Sequence, residues 1–351
     1  MPSIYVDHAA TTPMSPAAIS AISAQMQQLG NPSSLHSHGR ATRKTLEDAR
    51  EVIAQHIDCL PSEVIFTASG TEANNISLKG MYWNGKKNGK NVVVISAIEH
   101  HAILDPAHWL QTHEDAEVIT IPVTKDGVIN LQVLQELVSA RGSEIAVISI
   151  MHSNNETGVL QPIKEVVQIA GDIPVHTDAV QSFKKVPVSY KDLGVTSLTL
   201  SAHKIGGPLG IGALILRRAY EIPALLHGGG QEREIRSGTL NAPSIVAFAA
   251  AASENYPSTQ VATLRDSFIS GVKSVVDDAG EASSRLPGVV NVTFPGTQSD
   301  TLLLLLDSAH VSASTGSACS AGVHEASHVL LAMGHDEVPD VISRGRAANL
   351  R

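Results

Sequence analysis

Lys204 stands in the tetrapeptide SAHK, after Ser201 and His203, and a loop with Gly206, Gly207, Pro208, Gly210 and Gly212 follows it. A primary amine just past a strand end lies where α/β proteins place their ligands, although a loop lysine is most often a solvated charge. Asp178 closes the stretch PVHTD, with Gln181 three residues on. A carboxylate there serves either a ligand or the cap of a following helix. In ASGTEANN, residues 68–75, Gly70 and Thr71 follow the strand-like EVIFT and open a helical pattern. Backbone N–H groups and a hydroxyl at a helix start suit a phosphate, while a plain threonine cap with Glu72 in the first turn would look the same. His100, in IEHHA, adds an imidazole.

The elements that must position these residues alternate along the chain. Residues 63–67, 91–96, 117–121, 144–151, 174–178, 197–201 and 212–216 read as short strands. Several are continuous apolar runs, as strands covered on both faces should be. Helical patterns over 40–57, 71–80, 101–112, 131–140 and 163–170 separate them. This alternation predicts an α/β fold with a doubly wound, mainly parallel sheet. After about Pro243 the texture changes: an Ala-rich helix over 244–255 leads to a Ser/Gly/Asp-containing region, an extended segment 288–294 and a Leu run 302–306. We expect a large domain over 13–250 and a smaller α+β domain from 1–12 together with 251–351.

At the carboxyl ends of these strands, Lys204, Asp178, the Gly70–Thr71 helix start with Ser201 and His203, and His100 form one set. Pyridoxal 5'-phosphate (PLP) requires such a set: an amine for covalent attachment, an acid for the pyridinium nitrogen, a phosphate cradle and a face over the ring. Longer blocks carry a resemblance. YVDHAATTP (5–13), GNPSSLHSHG (30–39), FTASGTEANN (66–75), EHHAILD (99–105), SIMHSNNETG (149–158), HTDAVQS (176–182), SAHKIGGPLGIGAL (201–214), HGGGQEREIRSGT (227–239) and STGSACSAG (314–322) make the chain similar to the cysteine desulfurases of the NifS/IscS type, within the fold-type-I PLP enzymes. The resemblance implies that Lys204 bonds the cofactor, Asp178 pairs with the pyridinium nitrogen and Gln181 bonds the ring hydroxyl. It implies that His100 stacks on the ring and shuttles protons. Gly70, Thr71, Ser201 and His203 would hold the phosphate, with Thr239 reaching in from the partner of a homodimer. Asn155 would lie beside the ring and the substrate carboxylate, and Cys319 would be the nucleophile.

The surroundings of Cys319 agree with that role. STGSACSAG is a stretch of small residues with little to pack, whereas a structural cysteine normally sits among apolar neighbours. Cys59, in IDCLPSEV, has such neighbours and is assigned no role. His324 and His328 have the i,i+4 spacing of metal ligands near Cys319, but with no CxxC, HExxH or further ligand no metal is expected. His36, His38 and His101 read as surface or packing histidines. In the family an Arg-x-Ser-Leu-Gly segment supplies the guanidinium for the substrate carboxylate, a bidentate task that lysine does poorly. Here the sequence ends AMGHDEVPDVISRGRAANLR. Arg351 is the first candidate because NLR resembles the lead-in to that motif, Arg346 the second on its spacing from Gly334, and Arg344 less so. With the clamp at a chain end, weakened cysteine binding is expected.

The resemblance therefore implies desulfuration of L-cysteine to L-alanine, a persulfide on Cys319, and delivery of sulfur to an iron–sulfur scaffold or a tRNA-thiolation protein. The alternatives are another fold-type-I enzyme (a selenocysteine lyase or an aminotransferase) or a catalytically weak sulfur-transfer homologue. Composition is in keeping. Hydrophobic residues make up 43% of 351, enough for a sizeable core, and a net charge of −9 argues against a nucleic-acid or anionic-membrane binder. Apolar runs such as 246–252 are too short to span a bilayer, and MPSIYVDHAATTP has neither the basic nor the apolar part of an export signal. Two cysteines fit a reducing compartment, so a cytoplasmic location is expected.

Overall fold

The computed structural model describes residues 3–273, 277–278, 283–294, 299–315, 327–335 and 347–349. In chain order the elements begin with β1 (Ile4–Tyr5), α1 (Pro16–Met26), α2 (Ser37–Ile57), β2 (Val64–Thr67), α3 (Gly70–Lys86), β3 (Val92–Ser96), α4 (His101–His113) and β4 (Glu117–Ile121). Next come α5 (Leu131–Arg141), β5 (Ile145–Ser149), α6 (Ile163–Ala170), β6 (Val175–Asp178), α7 (Tyr190–Leu193), β7 (Ser197–Ser201) and β8 (Gly212–Leu216). The rest are α8 (Ala242–Ser253), α9 (Ser258–Val272), β9 (Asp277–Asp278), β10 (Val292–Thr293), α10 (Ser299–Ser308), β11 (Val311–Ser312), β12 (Ser314–Thr315), α11 (His328–Ala332) and β13 (Ala347–Asn349).

Seven strands form the central sheet in the order β2-β8-β7-β6-β5-β3-β4. The run from β7 to β4 is parallel, and β8 is antiparallel to both its neighbours. A parallel pair needs a helical crossover, and only residues 202–211 separate β7 from β8, so the chain must double back. All strands but β8 thus point the same way. Alternate residues face two cores: Val92 and Val94 lie in one with residues of α2, α5, α6, α7 and α8, while Val93 and Ile95 lie in the other with α3 and α4. That two-sided burial is what the continuous apolar runs encode. At the sheet's margin β4 is partly exposed and its apolar run is diluted.

Two helices carry little sequence signal. In α1, Ser15 caps by accepting from Ala18 N–H, Pro16 follows, and Ala18 packs on Ala247 and Ala251 of α8. Its buried contacts come from small residues, so no strong stripe marks it. In α9 no residue is fully buried. Further along the chain, β12-β13-β10-β9 make an antiparallel sheet, and β1 pairs in parallel with β11, Ile4 opposite Val311. Among the described residues no helix is long and apolar enough to cross a membrane.

Candidate active site

The ends of β2, β3, β5, β6 and β7 fall on one edge of the sheet, and so do Gly70, His100, the loop with Asn155, Asp178, Ser201 and Lys204. At the end of β6, Asp178 is followed by turns rather than a helix, so the helix-cap reading of this residue does not hold. Its Oδ1 accepts from Val180 N–H at 2.9 Å and its Oδ2 from Asn74 Nδ2 at 2.6 Å. The two bonds fix the direction of the carboxylate. Asn74, which the sequence reading missed, lies on the face of α3 turned to β6, one turn inside the helix start; its Oδ1 has no hydrogen-bond partner.

Helix α3 begins at Gly70, capped by Ser69 rather than by Thr71: Ser69 Oγ accepts from Glu72 N–H at 3.0 Å. Glu72 in turn takes Ala68 N–H and pairs with Arg236 at 2.8 Å. Thr71 is exposed and Ser201 is buried. The approach to this helix start is tight. A Cβ on Gly212, the first residue of β8, would lie 2.7 Å from Ser69 carbonyl carbon and 2.9 Å from Gly70 N, and one on Gly70 would lie 2.8 Å from Val180 Cγ2. Glycine at these two positions lets β8 and the loop after β6 pack closely on the positive end of a 17-residue helix, whose first N–H groups suit an anion.

The ammonium of Lys204 donates to the carbonyls of Ala9 and Ala10. Gln181 Nε2 donates to the same Ala9 carbonyl at 2.9 Å. Thr12 Oγ1 donates to His203 O and accepts Gly206 N–H, both at 2.7 Å. His203 Nδ1 lies 3.2 Å from Thr11 Oγ1, and burial pushes its pKa down to about 4, with Lys204 and Lys185 adding to the push. Residues 9–12 therefore form a wall of the site, while residues 4–5 pair with β11.

His100 caps α4, its Nδ1 accepting Ala102 N–H at 3.0 Å. With Nδ1 occupied as an acceptor, a neutral ring carries its proton on Nε2. Burial lowers its pKa against the pull of Asp178, and Lys204 and the neighbouring His101 and His328 lower it further. The side chain before it, Glu99, is fully buried. Its Oε1 accepts Ser96 Oγ at 2.6 Å and Met151 N–H at 2.8 Å, and burial pushes its pKa up to about 8. Glu99 thus joins the end of β3 to the loop that carries Asn155; Glu99 and Asn74 lie inside the blocks EHHAILD and FTASGTEANN, but the sequence reading assigned neither a role. Asn155 is buried, and Asn154 shapes its loop by accepting Glu156 and Thr157 N–H. Thr239 is exposed on this chain. Cys319, Arg346, Arg351, Arg344 and His324 lie outside the described residues. His328 opens α11, and its Nε2 lies 2.9 Å from Glu99 O.

The donor set suits PLP: one amine, one aimed carboxylate, an amide, a neutral imidazole and a Gly-lined helix start. Comparison with known proteins gives the class and then the branch. Residues 4–335 match the aminotransferase class-V family. An IscS-like cysteine desulfurase of Mycobacterium tuberculosis is 44% identical over 347 residues, 95% of this chain and 88% of that protein. A solved NifS-like protein superposes with a TM-score of 0.89 at 32% identity, covering 99% of this chain and 93% of the other. The structure of SspA in complex with cysteine does so with a TM-score of 0.86 at 31% identity, covering 99% of each chain. The chain belongs to the class-V aminotransferases, PLP-dependent enzymes, and within them to the IscS/NifS cysteine desulfurases.

Proposed function

We propose that this enzyme converts L-cysteine to L-alanine and collects the sulfur as a persulfide on Cys319. The observation that carries this reading is the convergence of Lys204, Asp178 and His100 on one strand edge in a chain of this family. When bound, PLP supplies an electron sink for the carbon skeleton of the substrate. The chain's own residues do the rest. Lys204 offers the amine and can move a proton at Nζ. Asp178, fixed by Asn74 and Val180, would hold the proton on the pyridinium nitrogen. His100 would lie against the ring and move a proton at Nε2, Gln181 would bond the ring hydroxyl, and Asn155 would lie beside the ring and the substrate carboxylate. The start of α3, with Gly70, Thr71, Ser201 and His203, would take the phosphate. Arg351, or else Arg346, grips the substrate carboxylate.

In support of Cys319, the described residues on either side of it bond to residues 7, 99 and 156. Ser314 Oγ donates to Asp7 Oδ1 at 2.8 Å on one side, and Ser327 and His328 bond to Glu156 and Glu99 on the other. Residue 59 is a poor competitor: burial, helped by Glu63 and Asp58, pushes the Cys59 thiol up to about 12, and the thiolate is the nucleophile. The step balances: the thiolate takes the substrate's sulfur as the Cβ–S bond breaks, and the carbon skeleton keeps the electron pair and gains protons as alanine.

We further read the enzyme as a cytoplasmic homodimer with a large domain over 13–250 and a small one from 1–12 with 251–351. It would pass sulfur to an iron–sulfur scaffold or a tRNA-thiolation protein. The exposed Thr239 completes the partner's phosphate site in this reading. The test is Cys319→Ser: the purified protein keeps its yellow cofactor and binds cysteine but forms no persulfide. Label found on Cys59 of the unaltered protein would overturn the assignment.

A further inference from the structure

Lys185 has no part in the roles above, yet it is only 6% exposed. Its Nζ donates to Gln181 Oε1 at 3.2 Å. An ammonium has three donors and no acceptor, so the atom of the amide that faces it must be oxygen. The two ends of the Gln181 amide thereby cease to be interchangeable. The NH2 end is turned the other way, and Nε2 reaches the Ala9 carbonyl that also receives Lys204. Gln181 thus shows N–H, not C=O, on the Lys204 side.

The local backbone is arranged for this. Lys184 adopts φ 66°, in the left-handed region, and its Nζ lies 3.4 Å from His56 Nδ1. The two consecutive lysines therefore part company, one to His56 and one to Gln181. His8 and His203, which lie on the same side, are held neutral chiefly by burial, with a smaller push from Lys185's charge.

We propose that Lys185 is a positioning residue that locks the Gln181 amide with its N–H group toward the ring oxygen of PLP, and so keeps that oxygen anionic. This rests on the reading of Gln181 given above. An N–H donor stabilises a negative oxygen, and a carbonyl in its place repels it. Without the lock the ring oxygen keeps its proton to higher pH.

The test is a pH titration of the visible absorption band of the purified holoenzymes. Lys185→Met and Gln181→Ala are each expected to raise the midpoint by roughly one unit, a tenfold change. The double variant is expected to titrate like Gln181→Ala alone, and Lys184→Gly like the wild type. A wild-type midpoint for Lys185→Met beside a raised one for Gln181→Ala overturns the role of Lys185 and leaves the reading of Gln181 intact. Additive shifts, or an equal shift in Lys184→Gly, overturn it in favour of a bare charge effect. A wild-type midpoint for Gln181→Ala overturns both readings. Should Lys185→Met not fold, Lys185→Arg keeps a pure donor and is expected at the wild-type midpoint; a raised midpoint there overturns the proposal.

Discussion

Lys204 reaches across some 195 positions of sequence to the carbonyls of Ala9 and Ala10. Neither carbonyl depends on it for the fold, because water can replace an exposed or half-buried donor. Lys204→Ala is therefore expected to leave thermal melting nearly unchanged and to lower kcat on the order of a thousandfold or more; near-normal turnover with no added amine would place the reactive amine elsewhere. Glu99 makes the opposite kind of prediction. Its folded pKa of about 8 lies above the ordinary carboxylate value. Between roughly pH 4.5 and 8 the unfolded chain has lost this proton while the folded one keeps it, so Glu99 lowers stability as pH rises, by up to about 1.4 kcal/mol per pH unit. Glu99→Gln mimics the protonated form and should remove that slope. Melting of the two proteins from pH 5 to 8 checks this: their difference should widen with pH, and a constant difference would show an ionised Glu99. Lys204, Asp178 and Gln181 were legible because family-like blocks surround them. Asn74 and Glu99 stand inside such blocks as well, yet their roles were not legible, and neither was that of Lys185 just past HTDAVQS, because each acts through a neighbour distant in sequence or across a turn and no local pattern records that.

Among the elements, the segment that leads to Thr239 is tied down by a buried ion pair. Arg50 of α2 meets Glu232 through two bonds, Nη1–Oε2 at 2.8 Å and Nη2–Oε1 at 2.7 Å, while Glu232 Oε2 also accepts Phe66 N–H. Arg50 further lies over the Phe66 ring, 4.8 Å from its centroid. Removing one partner leaves the other charge buried and uncompensated. Glu232→Ala is expected to cost about 3–5 kcal/mol, read as a loss in chemical denaturation; a loss below about 1 kcal/mol would mean that water reaches Arg50. Strand positions were largely legible, since two-sided burial writes apolar runs into the sequence. β4, β7 and β8 match the expected bounds, while α3 runs on to Lys86, beyond the expected end near Gly80. Residues 81–86 keep helical contacts on one side, Met81 and Tyr82 being fully buried, but their polar neighbours dilute the pattern. The reversal of β8 was not legible: direction depends on the length of the connection and on which neighbour lies open, not on strand composition.

On the scale of the whole molecule, this chain leaves Met26, Leu29, Leu35 and Leu209 well exposed. A second copy covering such residues, and receiving Thr239, agrees with the proposed dimer. Sedimentation is expected to give twice the 36.9 kDa of one chain; full activity at the mass of one chain would refute the dimer and the shared phosphate site together. The sequence by itself determined the class of fold and the chemical set, since burial on two faces demands apolar runs and PLP chemistry demands particular groups in particular blocks. Only the tertiary structure decided how that set is aimed. Residues 9–12 meet Lys204, Gln181 and His203 across nearly two hundred positions of chain, Asn74 turns Asp178, and Lys185 turns Gln181. Orientation is a property of hydrogen bonds between elements, and such partners are chosen by packing, which no stretch of sequence contains on its own.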